Sequence, residues 1–259
     1  VSTQGPAKFD ATLQRPILAS VVASKPAAIL IAPNDVVAMQ KPLEQAAKAG
    51  IKVVLVDTTV KDPSFAVSQI ASNNLAGGAA AFAAVKKLVP GGGKVLGIGV
   101  KPGISTTDAR DKGFQDAVRK SGGKFVSLGQ QYSNNEPSIA AQITTAALAK
   151  DPDLKAIFAS NLFSAEGAAT GIKQAGKEGQ VVVVGFDAGP DQVKALKAGT
   201  VQALIAQQPY DIGVQRIQQA VAALRGQPTK KKITTGFTIL TKANVDTPAG
   251  KAAQYRAVC

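Results

Sequence analysis

The stretch "VVVVGFDAGPD", residues 181–191, decides how this chain is read. Four consecutive valines suit a strand covered on both faces, because β-branched side chains pack well on a pleated surface and parallel strands are sandwiched between helices. Asp187 then arrives one residue after Phe186, where the chain should be leaving the core. A single carboxylate at that place reads as a helix cap. The same punctuation recurs, however. "IKVVLVD" ends in Asp57, "KAIFASN" in Asn161 and "VQALIAQ" in Gln207. In open α/β sheets ligands bind beyond the carboxyl ends of the strands. Four hydrogen-bonding side chains at four such ends therefore predict a cleft lined for a polar, uncharged ligand, against the plainer reading of four unrelated caps.

Outward from this stretch the rhythm is strand, helix, strand, helix. Strands are expected at 27–32, 51–56, 66–70, 93–99, 124–130, 155–159, 180–186 and 201–206. Helical spacing fills most gaps. Ile139, Ile143 and Ala147 fall at i, i+4, i+8 within 136–149, and Val36, Met39, Leu43 and Ala46 form a stripe in 35–49 that Gly50 closes. Pro16 and Pro42 lie inside helical patterns, each near a first turn or at a kink. This alternation implies parallel sheets, right-handed crossovers and helices on both faces. In "SQIASNNLAGGAAAFAAVKKL", residues 68–88, a short strand runs into a small-residue helix whose Gly77 and Gly78 let it lie close against a neighbour.

Composition removes whole classes of chemistry. The 259 residues contain no histidine, which excludes Ser-His-Asp and Cys-His catalysis and histidine-ligated metals. No apolar run is long enough to span a bilayer, and the opening "VSTQGPAKFD" has neither a basic start nor an apolar h-region. The net charge of +13 permits an anionic partner. The basic residues are nonetheless scattered, their longest run being Lys230-Lys231-Lys232, with no aromatic cluster or Cys/His finger, so a solvated surface and no nucleic-acid partner are expected. "GIGVKPG" at 97–103 has the spacing G-x-G-x-x-x-G, and "PGGGK" at 90–94 lacks P-loop spacing; both read as turns. No cofactor and no metal are implied.

Seven segments in order, "ILIAPND", "IKVVLVDTT", "SQIASNNLAGG", "ARDKGFQDAV", "PDLKAIFASN", "VVVVGFDAGPD" and "ALIAQQPYDIG", resemble the ribose-binding group of periplasmic (type I) solute-binding proteins. The resemblance runs from about residue 6 to about residue 240. It implies two Rossmann-like lobes joined by three hinge crossovers, closing on a monosaccharide or sugar alcohol and presenting it to the permease of an ABC importer. Lobe one would be 1–72 plus 208–236 and lobe two 73–207 plus 237–259, with the hinge near Asn73, Gln207 and Gly236. Carried over residue by residue, the ligand contacts are Asp57 from lobe one, Arg110, Asn161 and Asp187 from lobe two, and Gln207 at a crossover. Aspartate accepts hydroxyl protons, Arg110 donates from a fixed fork, and asparagine and glutamine do both. The resemblance also implies a monomer on the periplasmic or extracellular face.

Departures from that group change what is recognised. Thr58 stands where ribose binders carry an arginine, Ala32 where they carry an asparagine, and Asn135, with Asn134 beside it, where they place an aromatic. Thr58, Asn134 and Asn135 therefore join the ligand set, and the expected ligand widens to other pentoses, hexoses and polyols. In the family a strand, a helix and most of a second strand precede "TQGPAKFDATLQ", and without them strand edges would carry unpaired backbone groups; about 40 further residues are thus expected upstream, supplying aromatic stacking and a possible partner for Cys259. Two other classes compete. A LacI-type regulator's effector domain shares the fold, although the tail "TILTKANVDTPAGKAAQYRAVC" looks like the ending of a binding protein. A glycosidase could use Asp57 and Asp187 as its carboxylate pair, but an arginine between them would lower the pKa a general acid needs raised.

Overall fold

The computed structural model describes residues 2–256; Cys259 and its expected pairing lie outside the described residues. The elements are α1 (Ala11–Ala23), β1 (Ala28–Ile31), α2 (Gln40–Lys48), β2 (Lys52–Val56), β3 (Ser68–Ser72), α3 (Asn74–Leu88), β4 (Gly93–Gly99), α4 (Ser105–Arg119), β5 (Phe125–Tyr132), α5 (Pro137–Lys150), β6 (Leu154–Ala159), α6 (Leu162–Gln174), β7 (Val182–Phe186), α7 (Pro190–Ala198), β8 (Ala203–Gln207), α8 (Pro209–Leu224), β9 (Lys232–Thr235), β10 (Phe237–Thr241) and α9 (Pro248–Ala252).

They form two compact units. Unit one holds the chain through Ser72, the short piece Gly103–Thr106, and Pro209–Thr235. Unit two holds Asn73–Pro102, Thr107–Gln208 and the chain from Gly236 onward. The expected hinge residues Asn73, Gln207 and Gly236 fall at or next to the points where the chain changes unit. Asn73 caps α3 there, its Oδ1 accepting from the Ala76 amide at 3.2 Å, while the Gly236 amide donates to Gln208 Oε1 at 2.9 Å.

Unit one carries a four-stranded sheet, β1-β2-β3-β9, parallel throughout. The run "KVVLV" is apolar at consecutive positions because both faces are covered. Val53 and Leu55 pack with Leu18, Met39 and Leu43 of the α1 and α2 side, while Val54 and Val56 pack with Ile70, Ile212 and Ala220 on the α8 side. Unit two carries a six-stranded sheet, β10-β8-β7-β6-β4-β5. The opening valines divide in the same way: Val183 joins the cluster containing Leu148, Ile172 and Leu196, and Val184 and Phe186 join the one containing Phe82, Phe114 and Phe158.

Four sequence expectations are corrected. The sheets are not wholly parallel, since β10 runs antiparallel to β8 with Phe237 opposite Gln207. The strands β9 and β10 escape a search for apolar runs because "KITT" and "FTILT" are short and broken by threonines, and each has only one buried residue. The strand expected at 66–70 begins only at Ser68, because the Ala66 amide is used in a turn, bonding to Pro63 O at 2.9 Å. The helix expected from 35 begins at Gln40: Asp35 Oδ1 accepts from the Val37 and Ala38 amides and holds that segment as a turn. Pro42 then sits in the first turn of α2, as expected, whereas Pro16 lies deeper within α1.

Candidate functional site

Every candidate ligand residue except Arg110 lies at or just beyond the carboxyl end of a strand. Asp57 and Thr58 follow β2, Asn134 and Asn135 follow β5, Asn161 follows β6, Asp187 follows β7, and Gln207 closes β8. Their backbones are unusual. Five non-glycine residues have positive φ among the described residues, and four of them are candidates: Asp57 at 62°, Asn134 at 53°, Asn135 at 65° and Asp187 at 78°. The left-handed region costs an L-residue on the order of 1 kcal/mol or more. Such a cost persists where surrounding bonds hold it. The Asp57 amide donates to Ile70 O at 2.7 Å and the Asp187 amide to Ile205 O at 3.0 Å, so the amide of each aspartate stays tied to the neighbouring strand. The cap reading fails for Asp187, since Gly189 is the N-cap of α7. Asn161 does occupy the N-cap position of α6, but its side chain makes no cap bond.

In unit two these side chains connect. Arg110, on α4, is buried. Its Nε donates to Asn74 Oδ1 at 2.8 Å, its Nη1 donates to the Ser160 carbonyl at 2.9 Å, and its guanidinium carbon lies 3.7 Å from the centre of the Phe186 ring. These three contacts hold a planar fork as an ammonium could not be held. The buried Nη2 meets no protein acceptor among the described residues. Asn161, next to Ser160, donates from Nδ2 to Asn135 Oδ1 at 2.7 Å, and its own Oδ1 is buried without a protein donor. Asp187 Oδ1 accepts from Gln207 Nε2 and from the Tyr255 hydroxyl, both at 2.8 Å. The series Asn135, Asn161, Arg110, Phe186, Asp187, Gln207 is thus continuous within one unit. Asp57 and Thr58 belong to unit one, where Thr58 is buried.

The glycines of "LAGG" position this cluster. A Cβ on Gly77 would come within 2.8 Å of the Phe186 ring. One on Gly78 would overlap the Arg110 carbonyl oxygen, and one on Gly113 of α4 would overlap the Leu75 carbonyl of α3. The two helices therefore meet backbone to backbone, which sets the depth of Arg110.

A buried carboxyl lies next to the arginine. Burial raises Asp111 from its ordinary 3.8 to about 7; the Ser160 hydroxyl bond opposes that shift, the Asp108 charge adds to it, and Arg110 and Gln130 offset part of it. No group of three or more His, Cys, Asp or Glu side chains able to hold a metal occurs among the described residues.

The family model described as periplasmic binding protein domain matches residues 1–228.

The chain belongs to the periplasmic binding protein family.

The ribose import binding protein of Salmonella typhimurium is 34% identical over 214 residues, covering 83% of this chain and 71% of that one. A solute-binding protein of an ABC transporter from Agrobacterium vitis, solved with α-D-tagatopyranose, is 41% identical with a TM-score of 0.93, covering 96% of this chain and 86% of that one. A second from the same organism, solved with D-fucose, is 32% identical with a TM-score of 0.94, covering 98% and 88%. Within this periplasmic binding protein the sequence reading missed Asn74, Gln192 and Tyr255. Gln192 is fully buried and ties the turn bearing Asp187, accepting from the Gly189 amide at 2.9 Å and donating to the Phe186 carbonyl at 2.7 Å. Its place three residues after Gly189 is a legible capping signal. Asn74 and Tyr255 carry no such local signal.

Proposed function

We propose that this chain is an extracytoplasmic receptor that captures a monosaccharide or sugar alcohol and delivers it to the membrane permease of an ABC importer. The observation that carries the reading is the concentration in unit two of left-handed Asn134, Asn135 and Asp187 at strand ends, together with a buried arginine and asparagine with unmet polar atoms. Paired donors and acceptors match hydroxyl groups, each of which gives one hydrogen bond and takes others. Asp57, Thr58, Asn134, Asn135 and Gln207 complete the ligand set, Asn73, Gln207 and Gly236 serve as hinge, and binding draws the lobes together. The relatives are import receptors, which favours this reading over the regulator's effector domain. The receptor is monomeric, works in the periplasm or at the extracellular face, and performs no catalysis.

The test is a thermal-shift screen against D-ribose, D-tagatose, D-fucose and a set of polyols. At 100 times its dissociation constant a true ligand stabilises by roughly 2.7 kcal/mol. Asp187→Ala should abolish that shift, because it strands two protein donors and the ligand hydroxyls. A screen without any shift, or undiminished affinity in the variant, refutes the assignment.

A further inference from the structure

Tyr255 stands 68 residues beyond Asp187 in the chain, yet its hydroxyl is 2.8 Å from Asp187 Oδ1. The tail that brings it there is stitched down. α9 is capped by Thr247, whose Oγ1 accepts from the Gly250 amide at 3.1 Å, and Gln254 Nε2 donates to the Val245 carbonyl at 2.6 Å. The Tyr255 amide then donates to the Ala188 carbonyl at 3.0 Å, in the same turn that carries the strained aspartate. The hydroxyl also accepts from the Gln207 amide at 3.3 Å. Burial first, then the Asp187 charge and the hydrogen bond to it, hold this phenol strongly in its protonated, donating form. Asp187 Oδ1 thus receives two fixed protein donors, Tyr255 and Gln207.

From this geometry we infer that Tyr255 is a positioning residue for sugar recognition: it saturates one oxygen of Asp187 and fixes the carboxylate so that Oδ2 alone meets the ligand. The inference rests on the sugar-receptor reading above and deepens it. A carboxylate presenting both oxygens can take two adjacent hydroxyls, whereas one presenting a single fixed oxygen selects for one hydroxyl in one direction. The C-terminal tail is then part of the specificity device.

Tyr255→Phe removes the hydroxyl and keeps the ring. Its affinities for D-ribose, D-tagatose and D-fucose, and for monodeoxy forms of the sugar bound most tightly, are measured by calorimetry beside the parent protein. The expected result is about a tenfold loss for the parent sugar, with a smaller loss for the deoxy form that lacks the hydroxyl held by Asp187. The discrimination ratio therefore narrows. Unchanged affinity, or equal losses for both sugars, overturns the inference, since a tail that merely braces the fold weakens both alike. A parent protein that binds none of the sugars overturns the receptor reading instead. The Tyr255–Asp187 link is then decided by ultraviolet titration of the three tyrosines. Tyr255 should stay protonated up to alkaline unfolding, so Tyr255→Phe should leave the absorbance change short of unfolding unaltered; a Tyr255 phenol that ionises before unfolding overturns the link.

Discussion

Asp111→Asn is the sharpest physical test of how the arginine's surroundings are built. Asp111 is buried beside Arg110, and its carboxyl rises from 3.8 to about 7, chiefly because burial disfavours the charge. Well below pH 4 the group is protonated whether the chain is folded or not. Between about pH 4 and 7 the unfolded chain gives up this proton while the folded chain keeps it, so stability falls as pH rises through that window and levels off above it. A rise of about three units corresponds to roughly 4 kcal/mol at 1.36 kcal/mol per unit. Asparagine keeps the shape and cannot ionise. Other carboxylates titrate equally in both proteins and cancel in the difference. Thermal unfolding at pH 4.5 and pH 8 should therefore show the variant gaining on the parent by about 3 kcal/mol, the first part of the effect having already passed by pH 4.5, which is several degrees of melting temperature for a domain of this size. Parallel pH profiles for the two proteins would refute the claim that Asp111 is desolvated.

Two further substitutions test how α3 and α4 hold the site. Gly78→Ala drives a methyl into the Arg110 carbonyl and should cost about 1–3 kcal/mol by urea denaturation, with weakened sugar binding; an unchanged midpoint would mean the helices can separate freely. Arg110→Lys keeps the charge but cannot serve Asn74, the Ser160 carbonyl and the Phe186 face together, so sugar affinity should fall at least tenfold, and wild-type titration curves would remove Arg110 from the site.

The residues taken in order already determined much of this protein. Runs such as "KVVLV" and "VVVVGF" are apolar at consecutive positions, which only strands covered on both faces tolerate, and the polar residue closing each run marks the strand end where ligands gather. Those signals are local, because side-chain periodicity and strand-end chemistry act over a few residues. The places of Asp57, Asn161, Asp187 and Gln207 at strand ends were therefore legible, and so was the close packing written in Gly77 and Gly78. The tertiary structure decided the rest. The antiparallel β10 depends on β8, a partner about thirty residues earlier whose spacing from it no local pattern encodes. Asn74 meets Arg110 only because α3 and α4 pack on bare backbone. Asp111 resembles any helix carboxylate until burial removes its water. Tyr255 reaches Asp187 only after the whole second unit has closed around it, since contacts between residues so distant exist when the intervening chain is already ordered.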